Sequence, residues 1–180
     1  MSVGGVIWIT GLSGSGKSTT AGRVVDVLRS RGLQVIQLDG DELRGVFGED
    51  GYLAQNHGSE ARFSLAFKYS RLCKYLGDQG QLVVIATISL YHEIHLWNRE
   101  NILNYFEVFL DIDQEELRRR DPKQIYSRFD AGDLVNVVGL DLPFDEPVDA
   151  QLRLTEEGRT PSQVAELIIA EFDKAEHFKH

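Results

Sequence analysis

Cysteine is nearly missing from this sequence: Cys73 is the single thiol in 180 residues, so no internal disulfide framework can form. Proline is scarce as well, with four residues, and no repeat or low-complexity tract interrupts an ordinary globular composition that is 42% hydrophobic and 26% charged. No apolar run reaches the roughly 18 residues that a bilayer-crossing helix needs. Positive charge is in deficit: 19 basic against 28 acidic residues give a net charge of -9 and a pI near 5.0. A nucleic-acid-binding surface, which relies on clustered Lys and Arg, is therefore not expected, and any anionic ligand must be met locally. The start MSVGGVIWIT lacks the charged n-region and cleavage site of a signal peptide, which makes the cytoplasm the expected location.

What is present is dominated by one stretch. Gly11 to Ser18 reads GLSGSGKS and follows directly on the apolar run Val6, Ile7, Trp8, Ile9. It fits G-x-x-x-x-G-K-[ST], the phosphate-binding P-loop. In such a loop the backbone N–H groups of Gly11, Ser13, Gly14, Ser15 and Gly16 curl around phosphate oxygens, Lys17 neutralises charge and Ser18 offers a hydroxyl to Mg²⁺. Thr19 completes the set and opens a helical segment to Arg31, so the phosphates sit at a helix N-terminus. ATP and magnesium are the expected cofactors.

At this length one domain, 1–180, with one sizeable core is expected. Gly32 closes the first helix, and Gln34 to Leu38 reads as a second buried strand ending in Asp39-Gly40-Asp41. A short helix over Glu42 to Val46 and a glycine-rich loop from Phe47 to Gly58 follow. Ser59 to Gln79 carries Leu65, Tyr69, Leu72, Cys73 and Leu76 at the spacing of a core-facing stripe, which gives Cys73 a packing role. Leu82 to Ile88 and Phe106 to Ile112 read as strands, with a helix over Tyr91 to Leu103 between them. Asp113 with Glu116 forms a capping pattern for a helix through Arg120, and Pro122 stops it. A short helix is expected over Lys123 to Ala131, a weak fifth strand over Ala150 to Thr155, and a final helix opened by Thr160-Pro161-Ser162-Gln163. Strands alternating with helices predict an α/β, P-loop NTPase fold: a five-stranded parallel sheet, helices on both faces, ligands at the strands' carboxyl ends.

Asp39 and Asp41 stand at that edge. Phosphoryl transfer to a hydroxyl needs a carboxylate near the acceptor and one placed for magnesium. The assignment is Asp41 as acceptor-orienting base and Asp39 as magnesium ligand, directly or through water, together with Ser18. The plainer reading of the pair is an Asx turn with a solvated helix cap. A rival from another class is a nucleotide-dependent switch or binding module that hydrolyses its triphosphate without an acceptor. A switch GTPase would carry an N-K-x-D motif, and none is found.

GLSGSGKST, LDGDELR, the A-x-I-S of Ala86 to Ser89, RDPK at Arg120 to Lys123 and GLDxPFDEP at Gly139 to Pro147 resemble, in order, the signature blocks of adenylyl-sulfate (APS) kinases. The resemblance implies ATP-dependent phosphorylation of the 3'-hydroxyl of a nucleotide whose 5'-phosphate carries a second acidic group. It further implies a homodimer and a lid over about 121–147 that excludes water. Carried over by position, Arg44, Arg62, Ile88, Ser89 and Lys123 contact the acceptor nucleotide, and Arg120 packs on the ATP base. Ser89 matches a serine often labelled a phosphoserine intermediate; a hydroxyl holding magnesium or phosphate is the simpler role, because in-line transfer needs no covalent relay. Arg128, in the lid, approaches the γ-phosphate on closure.

The departures from the family pattern are informative. FISPYR is replaced by Thr87-Ile88-Ser89-Leu90-Tyr91-His92, N-I-R-R by Leu65-Ala66-Phe67-Lys68, and F-T-G by Val137-Val138-Gly139. The last change removes an aromatic wall from the acceptor's base, with Tyr52 a candidate for the other wall, so a smaller base is expected; base stacking is worth about 1–3 kcal/mol. With the block TISLYHEIHLWNRE, this pattern resembles the capsule-associated branch of the family, the cytidine diphosphoramidate kinases. Adenylyl-sulfate phosphorylation is the alternative. His92 and His95 with Glu93 form H-E-x-H rather than the H-E-x-x-H of a zinc site, and are read as helix-surface or acceptor-pocket residues.

Overall fold

The computed structural model describes residues 4–48, 58–155 and 159–175. Within them five strands, all parallel, form one sheet in the order β2-β3-β1-β4-β5: β1 (Gly5–Gly11), β2 (Val35–Asp39), β3 (Leu82–Ala86), β4 (Tyr105–Leu110) and β5 (Leu152–Leu154). The helices are α1 (Lys17–Ser30), α2 (Gly40–Val46), α3 (Ser59–Asp78), α4 (His92–Asn101), α5 (Gln114–Arg120), α6 (Ile125–Asp130) and α7 (Pro161–Lys174).

β1 is buried along its whole length because it is the central strand of a sheet covered twice. Its side chains alternate between two cores. Ile7 and Ile9 join Val24, Leu28, Ile168 and Phe172 under α1 and α7, while Val6 and Trp8 join Leu65, Tyr69, Cys73 and Ile94 under α3 and α4. A fully buried aliphatic side chain of this kind contributes about 1.5–3 kcal/mol. A third cluster, Leu12, Leu90, Phe109, Ile112, Leu117 and Tyr126, fills the carboxyl end of the sheet beneath the 121–147 segment.

Helix boundaries follow local chemistry. α1 ends in a Schellman turn: Gly32 (φ 83) donates to the Arg29 carbonyl and Leu33 to that of Leu28. α7 opens on the expected capping box, with Thr160 Oγ1 accepting from Gln163 N and Gln163 Oε1 accepting from Thr160 N. At α5 the expected box is absent. Asp113 accepts from Glu115 N at 2.7 Å, and Glu116 turns away to bind Arg119 and Arg120, two donors stronger than a lone backbone N–H. The strand expected over Leu82 to Ile88 stops at Ala86, where Thr87 and Ser89 begin to pair side chain to side chain and Ser89 takes φ 27. Cys73 is buried as expected, its thiol pushed far up by desolvation and thus kept inert.

Candidate active site

All parallel strands point their carboxyl ends the same way, and a cavity of about 600 Å³ opens there. Its lining draws on the P-loop and the start of α1 (Ser13, Gly14, Gly16 to Thr19), the end of β2 with α2 (Asp39, Gly40, Asp41, Arg44), α3 (Arg62, Leu65, Tyr69), the segment after β3 (Thr87 to Tyr91) and the 121–147 segment (Lys123, Arg128, Asn136, Val137).

The P-loop forms one wall. Gly16 precedes α1 at φ 90, a left-handed conformation that a β-carbon would strain, and no side chain caps the helix. The first turn of an α-helix leaves N–H groups without intrahelical partners, so uncapped donors and the positive end of α1 face the cavity, as an anion site requires. Lys17 Nζ donates to the Leu12 carbonyl at 2.7 Å. Burial pulls its ammonium down to about 8, with Lys123 adding to the fall and Asp41 and Asp39 opposing it. Phosphate oxygens would restore the charge that burial disfavours.

The carboxylates sit next to this wall. Ser18 Oγ donates to Asp39 Oδ2 at 2.5 Å, and Asp39 Oδ1 accepts from Asp41 N at 2.8 Å as the N-cap of α2. A hydroxyl and a carboxylate oxygen side by side are the hard donors that Mg²⁺ takes from protein, so these residues fit the ion. Asp41 binds Lys123 Nζ and lies 3.8 Å from Arg44 Nη2. Burial pushes its carboxyl up, but the Lys123 bond and the charges of Lys123, Arg44 and Lys17 outweigh that and hold it below its usual range. It is ionised at neutral pH, as a proton acceptor must be.

Cations outnumber carboxylates in the cavity lining, Lys17, Arg44, Arg62, Lys123 and Arg128 against Asp39 and Asp41, although the chain carries a net charge of -9. Arg62 Nη2 donates to the Asn136 carbonyl at 2.9 Å, tying α3 to the 121–147 segment, and burial and then Arg44 draw its guanidinium down from its ordinary value. The 121–147 segment also meets the P-loop. Tyr126 Oη donates to the Ser13 carbonyl at 2.8 Å, and Gly139 lies so close to Leu12 that a β-carbon there would come within 2.9 Å of Leu12 Cδ1.

The structure thus brings together Gly14, Gly16, Lys17, Ser18, Thr19, Asp39, Asp41, Arg44, Arg62, Ile88, Ser89 and Lys123 around one space. Gly11 and Ser15 lie buried at the base of the loop, with Ser13 on the cavity side. Arg120 stands apart from the lining, its Nε on Glu116 Oε1 at 2.6 Å, and Tyr52 lies outside the described residues. His92 is exposed, with its backbone N–H on Asp145, whereas His95 is not a surface or pocket residue: it is 2% exposed with Nδ1 3.0 Å from Glu107 Oε1. Sequence reasoning missed Thr87, Tyr126 and Asn136, and counted Tyr69 only as core. Thr87 was flanked by the A-x-I-S signal, but nothing in a pattern announces a backbone carbonyl such as that of Asn136.

A central parallel strand running into a P-loop, with two strand-end aspartates opposite, defines a P-loop phosphotransferase. The sequence profile of the adenylylsulphate kinase family matches residues 3–155, and the chain belongs to that family. It is 39% identical over 142 residues to the cytidine diphosphoramidate kinase of Campylobacter jejuni, covering 79% of this chain and 81% of that one. It is 36% identical over 166 residues to adenylyl-sulfate kinase 3 of Arabidopsis thaliana, covering 90% and 77%. Among solved structures, the Mycobacterium tuberculosis APS kinase CysC in complex with AMPPNP and APS superposes with a TM-score of 0.85 at 33% identity, over 96% of this chain and 99% of that one. The chain also matches bifunctional relatives, of whose length it spans about a quarter. It is accordingly an ATP-dependent phosphotransferase of nucleotide-kinase type. No helix among the described residues is long and apolar enough to cross a membrane.

Proposed function

We propose that this enzyme phosphorylates the 3'-hydroxyl of cytidine diphosphoramidate, at the expense of ATP, in the cytoplasm and on the route to phosphoramidate-modified capsule. The observation that carries a nucleotide acceptor with a second acidic group is the cavity itself: Lys123, Arg44 and Arg62 surround Asp41 beyond what a triphosphate on the P-loop would need. The pyrimidine is supported by aliphatic lining, Leu65, Val137 and Val138, and by the likeness to the C. jejuni enzyme.

On this reading the P-loop amides and Lys17 hold the triphosphate, and Ser18 and Asp39 hold Mg²⁺, which spreads the charge of the transferring phosphoryl group. Asp41 orients the acceptor's 3'-hydroxyl and takes its proton as the oxygen attacks the γ-phosphorus and the bond to the β-phosphate oxygen breaks. Arg44 and Arg62 hold the acceptor's 5'-substituent, and Ser89 keeps a polar floor under it. The 121–147 segment acts as a lid, with Lys123 released from Asp41 when the acceptor enters and Arg128 drawn to the γ-phosphate; closure excludes water so that transfer outruns hydrolysis. Arg120, freed from Glu116, packs on the ATP base. A homodimer belongs to the same reading, and light scattering checks it.

Adenylyl sulfate is the second reading, supported by the 36% identity to the Arabidopsis thaliana enzyme. A labelled-ATP assay offering the two acceptors side by side decides between them. The expected result is a higher kcat/KM for cytidine diphosphoramidate; a higher value for adenylyl sulfate would overturn the assignment of the base.

A further inference from the structure

Tyr69 is 3% exposed on the face of α3 that covers the sheet, a position an aliphatic residue would fill as well. Its hydroxyl donates to the Gly40 carbonyl at 2.6 Å, the peptide that lies between the two aspartates. On the other side Gly40 is seated on Thr87: a β-carbon at Gly40 would fall 2.9 Å from Thr87 Oγ1 and 3.2 Å from Thr87 Cβ. The Thr87 hydroxyl is itself fixed, 2.7 Å from Ser89 Oγ. Tyr69 also touches the far end of α2, where the Phe47 ring packs at 6.0 Å between centroids. One side chain therefore braces both ends of the seven-residue helix that carries Asp41 and Arg44.

We propose that Tyr69, backed by Thr87, is a positioning residue that sets the reach of Asp41 toward the acceptor hydroxyl. The inference rests on the acceptor-orienting role proposed for Asp41. Burying a phenol hydroxyl costs free energy unless it is hydrogen-bonded, and here the bond that offsets the cost ends on the turn that aims the carboxylate. A displacement of about 1 Å at such a group costs on the order of 10²-fold in rate. Loss of one brace with Thr87 still in place is expected to cost less.

The test is a double-mutant cycle on the full chain, read as kcat and KM for ATP in acceptor-dependent ADP release with saturating cytidine diphosphoramidate or adenylyl sulfate, whichever the wild type turns over faster. Tyr69→Phe should lower kcat about 10-fold in the wild-type background while KM for ATP stays within about 2-fold, and should cost under about 2-fold in the Asp41→Asn background, because the two residues act through one contact. An equal loss in both backgrounds, or an unchanged kcat in Tyr69→Phe, overturns the inference while leaving the role of Asp41 intact. Full activity of Asp41→Asn overturns the base assignment and the inference with it. If the phenylalanine variant does not yield folded protein, Thr87→Ala, which removes the hydroxyl on which Gly40 is seated, carries the same cycle. A fall of about 3-fold is then expected in the wild-type background alone, and an unchanged kcat or an equal fall in both backgrounds overturns the inference.

Discussion

Glu107 and Asp41 each face two basic side chains, and the sheet separates their roles. Glu107, on β4, is wholly buried. Its Oε2 accepts from Arg99 Nη2 at 3.1 Å and from Tyr105 Oη at 2.9 Å, its Oε1 lies 3.0 Å from His95 Nδ1, and its backbone N–H donates to Gln151. Burial pushes the Glu107 carboxyl up, but His95, Arg99 and Tyr105 together hold it below its usual range. Asp41 has Lys123 and Arg44, but its side chain is 53% exposed. The buried set locks β4 to α4 and to the segment leading into β5, and it lies outside the lining of the carboxyl-end cavity. The open set is arranged around space. Ionic partners alone therefore do not mark a functional site; partners that solvent and a ligand can reach do.

Substitutions sharpen that contrast. Lys17→Ala should lower kcat/KM about 10³-fold or more with little change in the unfolding midpoint, since the lysine's donors serve charge that develops in transfer. In the wild type, affinity for ATP should fall as pH rises through about 8, where Lys17 loses its proton; unchanged affinity to pH 9.5, about one and a half units higher, would contradict a desolvated lysine. Next in size, Asp41→Asn should cost about 10²-fold in kcat, with KM for ATP nearly kept, as removal of a proton acceptor does. Its midpoint should barely move, because exposed pairs contribute about 0–1 kcal/mol.

Glu107→Gln should behave in the opposite way. Breaking a buried pair costs about 3 kcal/mol, or roughly 6–12 °C in the unfolding midpoint of a domain this size. kcat should stay within about twofold because no member of the cluster is in the cavity lining. The sign of its pH dependence follows from the depressed carboxyl. The stabilisation is full above the unfolded glutamate pKa of about 4.3 and is lost as pH falls through the lower folded value, so the two proteins' midpoints should converge in acid. The smallest effect is expected for Arg31→Ala, which breaks the exposed contact of a single guanidinium nitrogen, Nη1, with both carboxylate oxygens of Asp173 (3.0 and 2.8 Å) between the end of α1 and α7. Under about 1 kcal/mol is expected there, read as a midpoint shift in chemical denaturation.

How far each region was legible in the sequence follows from the range of its signals. The sheet was readable because LVVIA and VIWI are short, β-branched apolar runs suited to strands buried on both faces, and α1 because a P-loop and Gly32 bracket it. Thr160 to Gln163 wrote the start of α7 in four residues. Lys17, Asp39 and Asp41 were legible because short spacings carry their chemistry. Glu107 was not, since FEVFLDI reads as an apolar strand and its partners lie on α4 and just before β5. The Asp113 and Glu116 pattern misled for a related reason: a local motif competed with Arg119 and Arg120, which bind the same carboxylate more strongly. Tyr69 shows the limit most plainly, because periodicity places its ring in the core but says nothing of where its hydroxyl ends.

Coupling of ATP consumption to the acceptor is the property on which the roles assigned to Lys17, Asp39 and Asp41 depend. ADP release by the wild-type enzyme should be measured at saturating ATP and Mg²⁺, with and without cytidine diphosphoramidate or adenylyl sulfate. An acceptor should raise the rate about 10²-fold or more, with one 3'-phosphorylated product per ADP, since proximity and orientation of the hydroxyl supply most of the rate. ATP consumed at the same rate in the absence of either acceptor, with no phosphorylated product, would contradict it.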